Sequence, residues 1–379
     1  MAEKRSIFED VGDGAPRATA VSGGLIDGAG GRGRRALRVW LGLLFLLVVL
    51  MIAVGGLTRL TDSGLSITEW RPVSGALPPM NAGDWQVAFE NYQAIPEYQL
   101  QNKGMSLGEF KAIYWWEWSH RQLGRLIGLV WAVGFVVFLA ARRIPPGWTG
   151  RLAAIGLLGG AQGALGWWMV SSGLSGTALD VASYRLAMHL GLAFAILGLL
   201  AWFILLLGRS ATGLIQARRV RERRIFSLGT GLMHLAFLQI LLGALVAGID
   251  AGRNFTDWPL MAGGFLPPDA LQIEPLWRNF FENDGLVQFM HRMAGYLVFA
   301  FGLFVWTRTR RSALVQLRGA GAVLAAVLCL QVLLGIMTVI YSAPLHLGIL
   351  HQLGAVLLWV AILRTRFHAA YPARQSVRG

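Results

Sequence analysis

Hydrophobic positions along this chain fall into long unbroken runs separated by polar segments. Eight runs stand out, at about 39–58, 121–141, 152–170, 188–208, 227–248, 290–306, 320–341 and 347–363. A hydrocarbon core about 30 Å thick is crossed by roughly 20 apolar helical residues, so each run approaches a span. Lipid offers no partners to backbone N–H and C=O groups, which leaves helices or closed barrels. Barrel strands would alternate over short segments, and these runs do not. The pattern predicts an all-α polytopic membrane protein with eight transmembrane helices.

The runs repeat. The second opens HRQLG at residue 120 and the sixth opens HRMAG at 291. The third carries QGALG from 162 and the seventh QVLLG from 331; the fourth has HLG at 189, and the eighth has histidines at 346 and 351. This predicts two tandem four-helix bundles related by a parallel pseudo-two-fold repeat. The expected order is a tail at 1–38, a first half at 39–208, a basic linker at 209–224, a second half at 225–365 and a tail at 366–379. GxxxG pairs at 124/128, 156/160 and 159/163 are expected to let helices, or a flat macrocycle, approach closely.

Composition sharpens this. The chain is 55% hydrophobic and 14% charged, which excludes an ordinary soluble domain of 379 residues. Its net charge of +14 has a topological origin. Of 34 Lys and Arg residues, 24 lie in the two tails and in the connections after runs two, four and six. The positive-inside rule then puts both termini in the cytoplasm. The expected partner of the surface is membrane lipid, with no nucleic acid. The first residues carry Glu3, Glu9, Asp10 and Asp13 and no short apolar core, unlike a cleaved signal or a mitochondrial presequence. A bacterial inner (plasma) membrane is expected. The one cysteine, Cys329, excludes CxxC redox chemistry and cysteine-based zinc, and reads as a packing residue.

Candidate chemistry gathers on the even-numbered helices, which run from outside to inside. His120, His189, His291 and one of His346 and His351 stand near their starts, toward the outer face. A lone histidine in an apolar helix is usually a packing residue. Four of them, paired in two repeats, point to ligation, because ionisable groups in a membrane are costly. Zinc takes four protein ligands, or three and a water. Two imidazoles per half suit the two faces of a haem better. Spacing leaves His346 and His351 both open: HLG at 346 copies HLG at 189, but His346 follows Pro344 at the helix mouth. His234 has no counterpart and reads as a helix contact.

The halves differ at one place. Glu117 stands three residues before His120, and Gln288 three before His291. An i, i+3 pair shares a helical face, so a carboxylate is expected beside one histidine and a neutral amide beside the other. One half is equipped to react and the other to hold a cofactor; the bland alternative is a solvated interfacial carboxylate.

Together GGLTRLTDSGLSITEWRPVSGALPP (55–79), EWSHRQLGR (117–125), YRLAMHLG (184–191), QFMHRMAGY (288–296) and HQLGA (351–355) resemble the haem A synthase family over about 40–365. The likeness is to the branch with long outer loops. The other branch has a cysteine pair in its first outer loop, and this chain has none there. The resemblance implies oxidation of a methyl group of haem O to a formyl group by two successive hydroxylations, with water as the oxygen source, supplying haem A for cytochrome oxidase. It implies that His120 and His189 hold the substrate haem, and that His291 and His351 hold a permanent haem b. It implies a catalytic Glu117, as base, cation stabiliser or nucleophile. Arg59, Arg121, Arg125 and Arg292, near the outer face, are candidates for the haem propionates. Expected partners are haem O synthase and cytochrome oxidase assembly factors, and the reading is compatible with a homo-oligomer. Two rivals remain, a di-haem electron carrier and a haem transporter.

Overall fold

The structure is a computed structural model that describes residues 31–176 and 179–373. Among the described residues, eight helices are long and apolar enough to cross a membrane. They are α1 (Gly31–Leu60), α2 (Leu107–Ala140), α3 (Thr149–Val170), α4 (Ser183–Leu207), α5 (Arg223–Gly248), α6 (Asp284–Thr309), α7 (Val315–Ile340) and α8 (Leu345–Ala370). The chain is all-α: apart from a single bridge between Met261 and Gly264, the described residues form no β-structure.

Each apolar run became a helix, but two helices start early. α1 begins at Gly31, inside the expected tail, whose residues 1–30 lie outside the described ones, as do 374–379. α2 begins at Leu107, well before its apolar run. Ser106 and Glu109 form a reciprocal capping box there, satisfying orphan amides of the first turn. The added turns bury Phe110 and Tyr114 against the preceding connection, so His120 lies thirteen residues into α2 rather than at its start. In the linker 209–224, Ser210 caps a short helix, Ala211–Arg219.

Helix neighbours follow a closed pattern. α1 packs on α2 and α4, and α3 packs on the same two; α5 packs on α6 and α8, and α7 likewise. Each set of four is therefore a ring in which α2 and α4, or α6 and α8, stand diagonally opposed. The rings meet through α4 on α5, α1 on α8 and α4 on α8. One apolar core runs through both, from Leu41 and Leu44 of α1 through Leu197 and Leu200 of α4 to Leu232 of α5 and Ile362 of α8.

Several glycines key these helices by admitting side chains, while Gly248 lets α5 approach the backbone of α4 at Ser183. Trp40 Nε1 donates to Val130 O at 3.0 Å and its ring fills the notch at Gly134, four residues on. Trp131 does the same at Leu152 O and Gly156, and Trp359 at Phe194 O and Gly198. At the expected GxxxG positions no neighbouring helix backbone approaches, and most are left open to a flat macrocycle. Gly128, Gly159, Gly160 and Gly163 have nothing within 4 Å of a would-be Cβ, and Gly124 meets only a methionine. Two further expectations are corrected: Cys329 is exposed on α7, and His234 is exposed on α5, so neither packs inside the bundle.

The two long connections lie at one end. The first, after α1, holds helices Ala82–Gln93 and Pro96–Leu100 and has its own core, in which Trp85, Phe89 and Tyr92 pack on Phe110 and Tyr114 of α2. The second, after α5, holds short helical turns at Ala251–Arg253, Leu276–Arg278 and Asn279–Glu282.

Candidate functional site

Four histidines occupy four copies of one local arrangement. Each packs its ring into a glycine notch on the helix before it. A Cβ would stand 2.8 Å from His120 Cε1 on Gly55, and 2.9 Å from the same atom of His189 on Gly166, of His291 on Gly243 and of His351 on Gly335. No side chain larger than hydrogen fits there, so the notch sets how deeply each imidazole lies between the helices.

Three of the four also have a glutamine clamp, four residues before the notch glycine. Gln162 Nε2 donates to His189 O at 2.9 Å and lies 3.2 Å from its Nδ1. Gln239 holds His291 O at 2.9 Å and Nδ1 at 3.1 Å, and Gln331 holds His351 O at 2.9 Å and Nδ1 at 3.2 Å. The clear bond is from the amide to the histidine's main-chain carbonyl, which fixes where the ring enters its notch; an NH2 group is a donor and does not accept a ring N–H. The sequence showed QGALG and QVLLG; QILLG at 239–243 was legible in the same way and was missed.

His291 and His351 face one another across the second ring, with centroids 6.3 Å apart and planes at 81°. That separation fits one metal between two imidazoles: two bonds of about 2 Å, plus the distance from each ring's centre to its nitrogen. His346 is exposed at the mouth of α8, away from this pair. His120 and His189 stand on the diagonally opposed helices of the first ring. Among the described residues no three His, Cys, Asp or Glu side chains converge as a metal site would require. The donor set is two imidazoles per ring, which suits a haem iron.

Glu117 is 3% exposed and fully engaged. Ser66 Oγ donates to its Oε2 at 2.8 Å and the Ile67 amide at 2.7 Å; Arg121 donates to Oε1 through Nε at 3.0 Å and Nη2 at 2.6 Å. Four donors meet the roughly four lone-pair sites of an ionised carboxylate. Gln288, equally buried, instead donates to Ala251 O at 2.7 Å and Asn254 O at 2.6 Å. Both residues therefore hold the connection that leaves the preceding helix, one as acceptor and one as donor. Ser66 and Ile67 lie in the 55–79 stretch that carries the family likeness, but nothing in its pattern ties them to Glu117.

The arginines are occupied too. Arg121 reaches Ile67 O and Glu69 O, and Arg125 reaches Arg71 O and Pro72 O. Arg292 reaches Phe255 O, Asp257 O and Leu260 O, while its buried Nε has no partner. Arg59 is ion-paired to Asp62 at 2.8 Å, Asp250 at 3.0 Å and Asp180 at 3.5 Å. Arg121 and Arg292 directly follow a histidine, Arg125 follows His120 by five residues, and Arg59 lies in the last turn of α1.

Known proteins share this frame. A family described as cytochrome oxidase assembly protein matches residues 38–363, which include every candidate residue above. The chain is 64% identical to a heme A synthase of Ruegeria pomeroyi, with both chains covered in full. The chain belongs to the haem A synthase family. It is also 63% identical to a heme A synthase of Dinoroseobacter shibae and 59% identical to one of Paracoccus denitrificans, each over at least 99% of both chains.

Proposed function

We propose that this protein oxidises haem O to haem A, binding the substrate through His120 and His189 and a haem b through His291 and His351. The observation that carries the reading is the pair of diagonal imidazole sites in a chain of this family, one with a buried carboxylate one turn away and the other with an amide. The packing of α1–α4 and α5–α8 as matching rings supports a parallel tandem repeat. The basic short connections support cytoplasmic termini in a bacterial inner membrane, with both haem sites toward the outer face.

Haem b, when bound, supplies a one-electron redox centre close to the substrate half. The protein's own residues do the rest. The glycine notches and glutamines hold the imidazoles at fixed depth. The long connections close over the site end and limit water. Glu117 acts as a fixed negative charge, because its four lone-pair sites are already filled and proton abstraction would require a donor to leave. Such a charge stabilises positive charge developing at the substrate methyl carbon, which water then captures; each hydroxylation passes two electrons to an external electron acceptor and two protons to solvent. Arg125 and Arg292 are the better placed for propionates, since their present partners are uncharged carbonyls. Arg59 and Arg121 are already paired with carboxylates.

Co-expression with a haem O source, followed by pigment extraction, tests the activity: haem A appears only if the chain oxidises the substrate, which an electron carrier or transporter does not do. In that assay Glu117→Gln is expected to keep both haems and lose at least about 100-fold of haem A formation, the scale of one preorganised electrostatic partner. Haem A at the wild-type level, at equal protein, would remove Glu117 from the chemistry.

A further inference from the structure

The four histidine notches are alike except in one side chain. Where three have glutamine four residues before the notch glycine, α1 has Met51 before Gly55. Met51 stands in the glutamine's place. Its Cε lies 3.5 Å from a would-be Cβ of Gly124, as Gln239 Nε2 lies 3.2 Å from that of Gly295, and both glycines follow their histidine by four residues. A thioether cannot donate to a carbonyl and accepts only weakly. Consistent with this, His120 Nδ1 is buried without a hydrogen-bond partner, whereas His189, His291 and His351 each have an amide beside theirs.

We propose that Met51 makes His120 the releasable ligand of the four, so that the haem of the first ring can leave after reaction while the haem of the second stays. The inference rests on the ligand assignment above and adds a positioning residue to it. A substrate that is also a haem sets a problem that a simple cofactor site does not. It must be held through its iron during oxidation and then given up. Two clamped imidazoles per site would retain product as firmly as cofactor. The first ring instead has one clamped ligand, His189 with Gln162, and one unclamped ligand, His120 with Met51. The second ring has two clamped ligands. Loss of a partner that orients a metal-bound histidine typically weakens metal affinity by about 10–100-fold. A difference of that size on one ligand is enough to separate an exchanging haem from a resident one. Met and Gln are similar in length, and the Gly124 notch matches the one that admits Gln239, so the two side chains are interchangeable in space.

The test uses reciprocal variants of the full-length protein in detergent or nanodiscs, loaded with haem O. Transfer of pigment to excess apomyoglobin is followed by absorbance, and the pigment left behind is identified by extraction. Met51→Gln should slow the fast-transferring phase by about 10-fold or more and leave haem b retention unchanged. Gln239→Met should give haem b a measurable transfer rate where wild type holds it. Unchanged rates in both variants would overturn the role of Met51. If Met51→Gln does not accumulate, Gln239→Met alone decides, because haem b held as in wild type would show that the amide contributes nothing. His120→Ala separates this from failure of the site reading. If it leaves the fast phase intact, the ligand assignment itself is wrong, whatever Met51 does.

Discussion

At the scale of single residues, side chains chosen for their chemistry proved to be held by groups no pattern could show. The i, i+3 spacing of Glu117 and His120 was legible, because helical periodicity alone sets it. That Glu117 is saturated by Ser66, Ile67 and Arg121 was not, since those contacts close only when the first connection folds back on α2. The final histidine shows the same limit in reverse. Spacing could not choose between His346 and His351, but the diagonal of the second ring brings His351 to His291 and leaves His346 exposed. His351→Ala is therefore expected to empty the haem b site while His346→Ala keeps nearly all the pigment. Pyridine haemochrome content per purified protein measures both, and the opposite pattern would move the ligand to His346.

At the scale of elements, the helices were read from hydrophobicity and their ends were not. α2 outruns its apolar stretch because a capping box and two aromatic residues extend it into the connection. The structure within that connection had no clear period to reveal it. Its small core encloses Glu97, 3% exposed, which accepts from Tyr92 Oη at 3.2 Å and Asn102 Nδ2 at 3.3 Å. Burial pushes the Glu97 carboxyl up to about 8, with the charges of Asp180, Asp62 and Glu117 adding to it and the Tyr92 bond opposing it. A carboxyl whose folded value is raised is protonated more readily in the folded state, so stability is greatest below its unfolded value and falls as pH rises toward 8. Above that the loss levels off. Limited proteolysis in the 61–106 connection should therefore accelerate between about pH 5 and pH 8. Glu97→Gln should flatten this dependence, and a wild-type pH profile in that variant would assign the effect elsewhere.

At the scale of the whole molecule, the repeat was visible in the sequence as motifs, but the joint between its halves was not. Asp62 and Asp250 each sit two residues past the end of α1 and of α5, with φ of 48° and 52°. Both aspartates bind Arg59, and Asp180 from the connection after α3 approaches it as well. One guanidinium thus ties both halves together at the long-connection end. Arg59→Gln would strand three half-exposed carboxylates, a cost below the roughly 3–5 kcal/mol of a fully buried broken pair. The expected result is a melting temperature lower by several degrees, with haem per folded protein unchanged. Pigment loss at an unchanged melting temperature would make Arg59 a propionate anchor instead.

The indole of Trp359 crosses the same joint deeper in the bundle. It bonds Phe194 O and fills the Gly198 notch, so α4 and α8 cannot slide or turn past one another without losing both contacts. His189 and His351 ride on those two helices, a short way along each. The distance between these two histidines is consequently fixed by the joint between their helices. Under the proposed ligand assignment, a substrate could then come and go in one half without changing its distance from the cofactor in the other, and the carpentry of the helices would set the rate of any electron crossing between them.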